Sequence, residues 1–139
     1  MPVKTLSLSL RTSGDAQIVD LTAQAAEAVK SSGLTDGIVT LFVPGSTAAL
    51  TTIEYEGGAL RDFKRLFDEI APADRDYAHN LRWGDDNGHS HVRAALLGPS
   101  LTVPFANGRL LLGTWQQIVL VDFDNRPRSR TVIAQVMGE

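Results

Sequence analysis

All three histidines of the chain, His79, His89 and His91, fall within one stretch, YAHNLRWGDDNGHSHVRAALLGPS, which runs from Tyr77 to Ser100. Asp85, Asp86, Asn87 and Gly88 stand among them, so nitrogen and oxygen donors crowd a segment that Gly and Asn mark as loop. Imidazoles beside carboxylates can bind a divalent metal or move protons. The chain has no cysteine, which excludes disulfides, thiolate nucleophiles and Cys-based metal centres. A metal would have to use His, Asp, Glu, carbonyls or water. Two imidazoles and a carboxylate would suit zinc, and magnesium would suit the carboxylates of Asp85 and Asp86 together with a diphosphate. The same two aspartates are equally good turn and helix-cap residues.

His89 and His91 are two positions apart. On a strand both would share a face; on a helix they would point about 200° apart. The segment reads as a loop leading into a helix, so one of the pair is expected to join His79 while the other supports it or faces solvent. His91, nearer the apolar helix, is the better candidate. A second candidate is Pro44-Gly45-Ser46-Thr47, where small residues would let backbone amides approach an anion and Ser46 and Thr47 would add hydroxyls; an ordinary strand connection needs the same residues. Trp115 and Gln116 follow Gly113-Thr114, and Trp115 could wall a heterocycle or simply be buried. Arg126, Arg128 and Arg130 are either the tip of a hairpin or an anion clamp.

These residues need elements to position them. Leu6, Leu8 and Leu10 alternate with serines as in a half-buried strand, and Ser13-Gly14-Asp15 suggests a turn into a second strand at Gln17–Val19, an opening hairpin. Asp20 can cap a helix over Leu21–Ser32 that ends at Gly33. β-branched runs at 37–43 and 47–54 read as strands. Leu60, Phe63, Leu66, Phe67 and Ile70 form a helical stripe that Pro72 ends, and a short helix is expected at Ser90–Leu97. Further strands are expected at 101–104, 109–112, 116–123 and 131–136, with a turn at 124–127. Strands hold both ends and helices the middle, so the fold class is α+β with mostly antiparallel sheet and two or three helices packed on it.

At 139 residues the chain fits one domain, residues 1–139, long enough to bury about two thirds of its unfolded surface. A net charge of -3 argues against a nucleic-acid partner, which usually meets a basic stripe. No apolar run approaches the roughly 20 residues of a spanning helix, so no membrane partner is expected. The N-terminus alternates instead of presenting a signal-like apolar block, and a cytoplasmic location is the expectation.

Taken in order, STAALTTIE, YAH, DDNGHSHVRAALLGPSLTVP, GRLLLGTWQQIVL and a closing R-x-R-x-V strand resemble the YjbQ-like proteins across nearly the whole chain. The resemblance implies a sandwich-like α+β fold and a homotrimer. It also implies activity as a secondary thiamine phosphate synthase, joining a hydroxymethylpyrimidine diphosphate to a thiazole phosphate with release of pyrophosphate. The family's histidine cluster, proposed to hold a divalent metal, falls here on His79 and His91, with His89 as a possible substitute for a third histidine whose position is Gly45. The family's glutamate falls on Glu54. On this reading Glu54 or His79 is the general base or substrate orienter, Asp85 and Asp86 hold the cation, Ser46 and Thr47 meet the phosphorylated ligand, and Trp115 and Gln116 line the ring. The rival expectation, motivated by Gly45, is a non-catalytic trimer that binds a metal or small ligand. Trimerisation would also cover apolar strand at Leu101–Pro104 and Leu110–Val121.

Overall fold

The computed structural model describes residues 1–139. Eight strands and four helices follow in the order β1 (Val3–Thr12), β2 (Gln17–Asp20), α1 (Thr22–Ser32), β3 (Gly37–Phe42), β4 (Ala48–Ile53), α2 (Gly57–Ile70), α3 (Ala78–Trp83), α4 (Gly88–Leu97), β5 (Ser100–Ala106), β6 (Arg109–Leu110), β7 (Gln117–Asp122) and β8 (Arg128–Gly138). All pairings are antiparallel, in a five-stranded sheet β1-β8-β3-β5-β6 and a three-stranded sheet β2-β7-β4. The α+β expectation therefore holds, with one more helix than expected: α3 occupies part of the segment read as loop. Its six residues are too few to display a helical repeat, and Gly84 ends it with a positive φ of 63°.

The expected opening hairpin does not form. β1 pairs with β8 in the large sheet, Thr12 opposite Arg128, while β2 pairs with β7 in the small one, Gln17 opposite Asp122. The Ser13–Ala16 turn carries the chain between sheets instead of folding it back. Gly14 is required there: its φ is +81°, and a side chain would collide with the Asp124 carbonyl. The chain changes sheet in the same way between β3 and β4, and again between β7 and β8. Hydrogen bonds gather the three crossings at one corner, where Asp15 N–H reaches Asp124 O and Phe123 N–H reaches Thr47 O.

Two cores hold the layers. Leu41, Leu50, Ile118, Leu120, Val132 and Val136 interleave between the sheets, and Ala25 and Val29 of α1 close the same cluster. On the other face of the small sheet, Ala49, Val119, Val121 and Phe123 pack against Phe67 and Ala94 of α2 and α4. β7 is thus covered on both faces, which is why it reads as an unbroken apolar run. Of the stretch Leu110–Val121, Ile118 to Val121 are buried within one chain, while Leu111 and Trp115 stay exposed.

Side-chain hydrogen bonds fix the helix starts beside these layers, with Leu21 rather than Asp20 at the N-cap position of α1. Asp20 Oδ1 accepts hydrogen bonds from the backbone and hydroxyl of Thr22, and Glu56 accepts from the backbone amides of Gly58 and Ala59, so α2 begins three residues ahead of its apolar stripe.

Candidate functional site

The corner where the chain changes sheet carries most of the buried charge. Asp122 and Asp124, both fully buried, follow the apolar run of β7. Arg130 donates to both oxygens of Asp122, from Nε at 2.7 Å and from its terminal nitrogen at 3.0 Å, and the same nitrogen donates to Thr47 Oγ1 at 2.7 Å. Thr47 in turn donates to Asp124 Oδ2 at 2.8 Å, and Arg128 Nε donates to the same oxygen at 3.0 Å. Thr12 donates its hydroxyl to Asp122. Burial works to raise the Asp124 pKa, but the hydrogen bonds from Thr47 and Arg128, with the Arg128 charge, outweigh it and hold the carboxyl below the usual carboxylate range. The network fastens four strand ends, of β1, β4, β7 and β8, from three distant parts of the chain.

The N-terminal turn of α4 docks on this network. Ser90, fully buried, donates to Phe123 O, and Asn87 Oδ1 accepts from Asn125 N–H at 3.1 Å. α3 is clamped to the same turn by the bond from Gly88 N–H to Asn80 Oδ1, 2.8 Å. The helices approach so closely here that a Cβ on Gly88 would lie 2.5 Å from Tyr77 Cβ.

This docking sets the histidines. His79 at the start of α3 and His91 on α4 bring their rings together, centroids 4.3 Å apart and planes inclined by 39°. His79 Nδ1 lies 3.3 Å from Asp85 Oδ1 without a hydrogen bond directed at it. His91 opens on a pocket bounded by Gly45, Ser46, Ala48 and Pro99. Burial first, and the neighbouring His79 second, push the His91 pKa down, against the opposing pull of Asp85, Asp124 and the Ser46 backbone. His91 is thus biased toward the neutral imidazole at neutral pH.

His89 turns away, as helical spacing requires. Only 5% exposed, it lies with its ring 6.3 Å from that of Tyr77 and faces a different depression, with Asp86 on the rim. Burial and the Arg93 charge lower its pKa. Asp85 and Asp86, adjacent in sequence, therefore serve different places. The remaining site candidates separate further. Glu54 and Trp115 line a third depression together with Asp20, Tyr55 and Glu56. Trp115 is 71% exposed, so it is neither buried nor beside the histidine pair. Gln116 donates to Thr52 Oγ1 at 3.2 Å and accepts from Gly113 N–H at 3.0 Å. Ser46 is exposed at the His91 pocket, whereas the hydroxyl of Thr47 is committed to Asp124 and Arg130.

Gly45 lies against the network: a Cβ there would sit 2.9 Å from a terminal nitrogen of Arg130. Arg130 thus stands beside the position where the resemblance places a histidine. No group of three or more His, Asp or Glu side chains gathers closely enough to hold a metal ion. The residues that sequence reasoning missed are Asp122 and Asp124. Two aspartates ending an apolar strand, followed by alternating arginines, were the available signal; Arg128 and Arg130 are ion-paired inside the corner rather than free at a hairpin tip, and Arg126 alone of the three stays outside these pairs.

A family described as "UPF0047 protein YjbQ-like" matches residues 6–139. The chain belongs to the YjbQ-like UPF0047 family. It is 40% identical over 139 residues to a UPF0047 protein of Methanothermobacter thermautotrophicus, covering 100% of this chain and 95% of that one. Among solved structures, a YbjQ-like protein of unknown function from Sulfolobus solfataricus superposes with a TM-score of 0.89 at 34% identity, covering 99% of this chain and 100% of the other. A YjbQ/UPF0047 family protein from Clostridium acetobutylicum gives 0.87 at 36% identity, covering 95% and 99%. No helix of the YjbQ-like chain is long and apolar enough to cross a membrane.

Proposed function

We propose that this YjbQ-like protein is a slow transferase of the thiamine phosphate synthase kind, working in the cytoplasm as a homotrimer. The reaction would form a carbon–nitrogen bond between a hydroxymethylpyrimidine diphosphate and a thiazole phosphate and release pyrophosphate. The observation that supports this most is the pairing of His79, with Asp85 beside it, against His91, which opens on a pocket edged by Gly45 and Ser46. A neutral imidazole can accept a proton or hydrogen-bond an anionic oxygen once protonated, and the exposed backbone of Gly45-Ser46 suits a phosphoryl group. His91 is the better acceptor, because burial and the neighbouring His79 hold its pKa down. Glu54 and Trp115 stand apart from the pair within one chain, so in this reading they act on a ring bound at their own depression, or on a neighbouring protomer's ligand.

The metal implied by the resemblance does not fit the residues of a single chain, because only two imidazoles meet. Zinc or magnesium would need a further donor from a neighbouring protomer or from the substrate's phosphates. No step is assigned to it.

The test is product formation: purified protein, both substrates and magnesium, with thiamine phosphate read by thiochrome fluorescence. Formation that is lost in His79→Ala and His91→Ala supports the proposal; none at enzyme concentrations that match the substrate removes it.

Gly45 favours a second reading, a non-catalytic binder of a metal or phosphorylated ligand. Its φ is not positive and its one close neighbour is the flexible end of Arg130, so Gly45→His fits if that guanidinium shifts. Zinc content that rises in Gly45→His and falls in His91→Ala, without product in either, would select this reading.

A further inference from the structure

The depression that His89 faces is separate from the His79–His91 pair and has a chemistry of its own. It measures about 720 Å³ and is bounded by the turn after β1, the connection from α2 to α3, and the loop before α4. Four carboxylates stand around it: Asp15, Asp74, Asp76 and Asp86. None takes part in an ion pair, and none accepts a side-chain hydrogen bond within the chain. The one cation at the rim, Arg75, is turned toward the Ile70 carbonyl, 3.3 Å away. Like charges brought together without partners repel, so a cation that joined them would be favoured.

An acidic rim alone marks no site. The second observation is at the floor. His89 is more than nine-tenths buried, yet its Nδ1 has no hydrogen-bond partner, and its Nε2 reaches only 3.5 Å from Ser90 Oγ, a hydroxyl already engaged with Asn87 and Phe123. A buried imidazole whose Nδ1 lacks a hydrogen-bond partner costs free energy that a ligand could recover. Beside it the ring of Tyr77 forms a wall, a surface over which an ammonium group is attracted.

The kind of cation follows from the spread of these groups. No three of the donors lie close enough together to coordinate one metal ion, and the depression has room for a chain of several carbons. An anion would face a net negative rim. We propose that this depression binds an aliphatic polyamine, its ammonium groups paired with Asp15, Asp74, Asp76 and Asp86 and one N–H directed at the His89 imidazole.

Titration calorimetry of the full chain with spermidine and with 1,4-diaminobutane, at low salt, tests this, with His89 ring signals followed by NMR. Saturable binding is expected, tighter for the triamine, with a shift of the His89 resonances and a loss of affinity as salt is raised. The pair Asp76→Asn and Asp86→Asn should weaken spermidine about tenfold or more, since each removes a charge-assisted partner. Asn tolerates the positive φ of Asp86, 54°, so this variant keeps the turn. His89→Gln should weaken spermidine as well; if it fails to fold, the exposed Asp74→Asn and Asp76→Asn changes carry the comparison alone. No saturable binding up to about 10 mM, where affinity would be weaker than a single good ion pair supplies, overturns the proposal. So does equal affinity in the aspartate variants, or displacement of spermidine by an equal concentration of magnesium with the same His89 shift, which would assign the depression to a divalent ion.

Discussion

Replacing Arg130 with Met removes the charge that links Asp122, Thr47 and Asp124, while keeping most of the side-chain volume. The side chain is 11% exposed and Asp122 is fully buried, so water cannot take over the lost contacts. Asp122 would keep only the Thr12 hydroxyl and the Asp124 amide. Asp124 would keep Arg128 and Thr47. One buried carboxylate is thereby left without a counter-charge, a change that costs about 3–5 kcal/mol when a buried pair is broken on one side. At roughly 3–4 °C per kcal/mol for a domain of this size, the melting temperature should fall by about 10–20 °C. Urea unfolding followed by circular dichroism at pH 7, at one fixed protein concentration, reads the difference directly. The gap between variant and parent should narrow in acid, because a protonated carboxyl group needs no cation beside it. A loss under about 1 kcal/mol at pH 7, or one that stays the same down to the pH where carboxylates protonate, would refute the idea that this network fastens the sheet crossings.

Phe67→Ala should cost about 3–5 kcal/mol in the same assay, since Phe67 is buried between Phe63 and Phe123, with ring centroids at 5.0 and 4.7 Å. Gly14→Ala should lose more than about 1 kcal/mol, through its positive φ and the collision with the Asp124 carbonyl, whereas the mirror test at Gly33, also at positive φ but with open space around it, should cost less. Burial holds His89 and His91 both below the ordinary imidazole value of 6.5, so the unfolded chain takes up protons first as pH falls. Stability present above that value should therefore decline as pH drops below it, and His89→Gln should flatten the decline seen in melting curves between pH 7 and pH 5.

Much of the architecture was legible from pattern alone. Alternation in the LSLSL run located β1, the Leu60-to-Ile70 stripe located α2, and Gly33 and Pro72 marked helix ends, because these signals depend on neighbours within one or two turns of chain. Helical spacing implied that His89 and His91 would part, while the choice of His91 as the partner of His79 rested on its nearness to the apolar helix. α3 escaped notice because a six-residue helix has no repeat to read, although it carries His79.

The chain's own sequence determined its element types, its family and the residues able to do chemistry. Only the tertiary structure decided where those residues meet. β1 finds β8 across more than a hundred residues, and no local signal distinguishes that pairing from the hairpin that Ser13-Gly14-Asp15 suggests. The choice rests on burial: β7 can be covered on both faces only if β1 and β2 enter different sheets, and that split brings three crossings to one corner. There Asp122, at the end of its strand, and Asp124, in the expected turn, become buried anions, since dense packing excludes water and Arg128 and Arg130 are the cations within reach. Adjacent Asp85 and Asp86 are divided between two depressions for the same reason, because α4 docks on that corner with one face toward each.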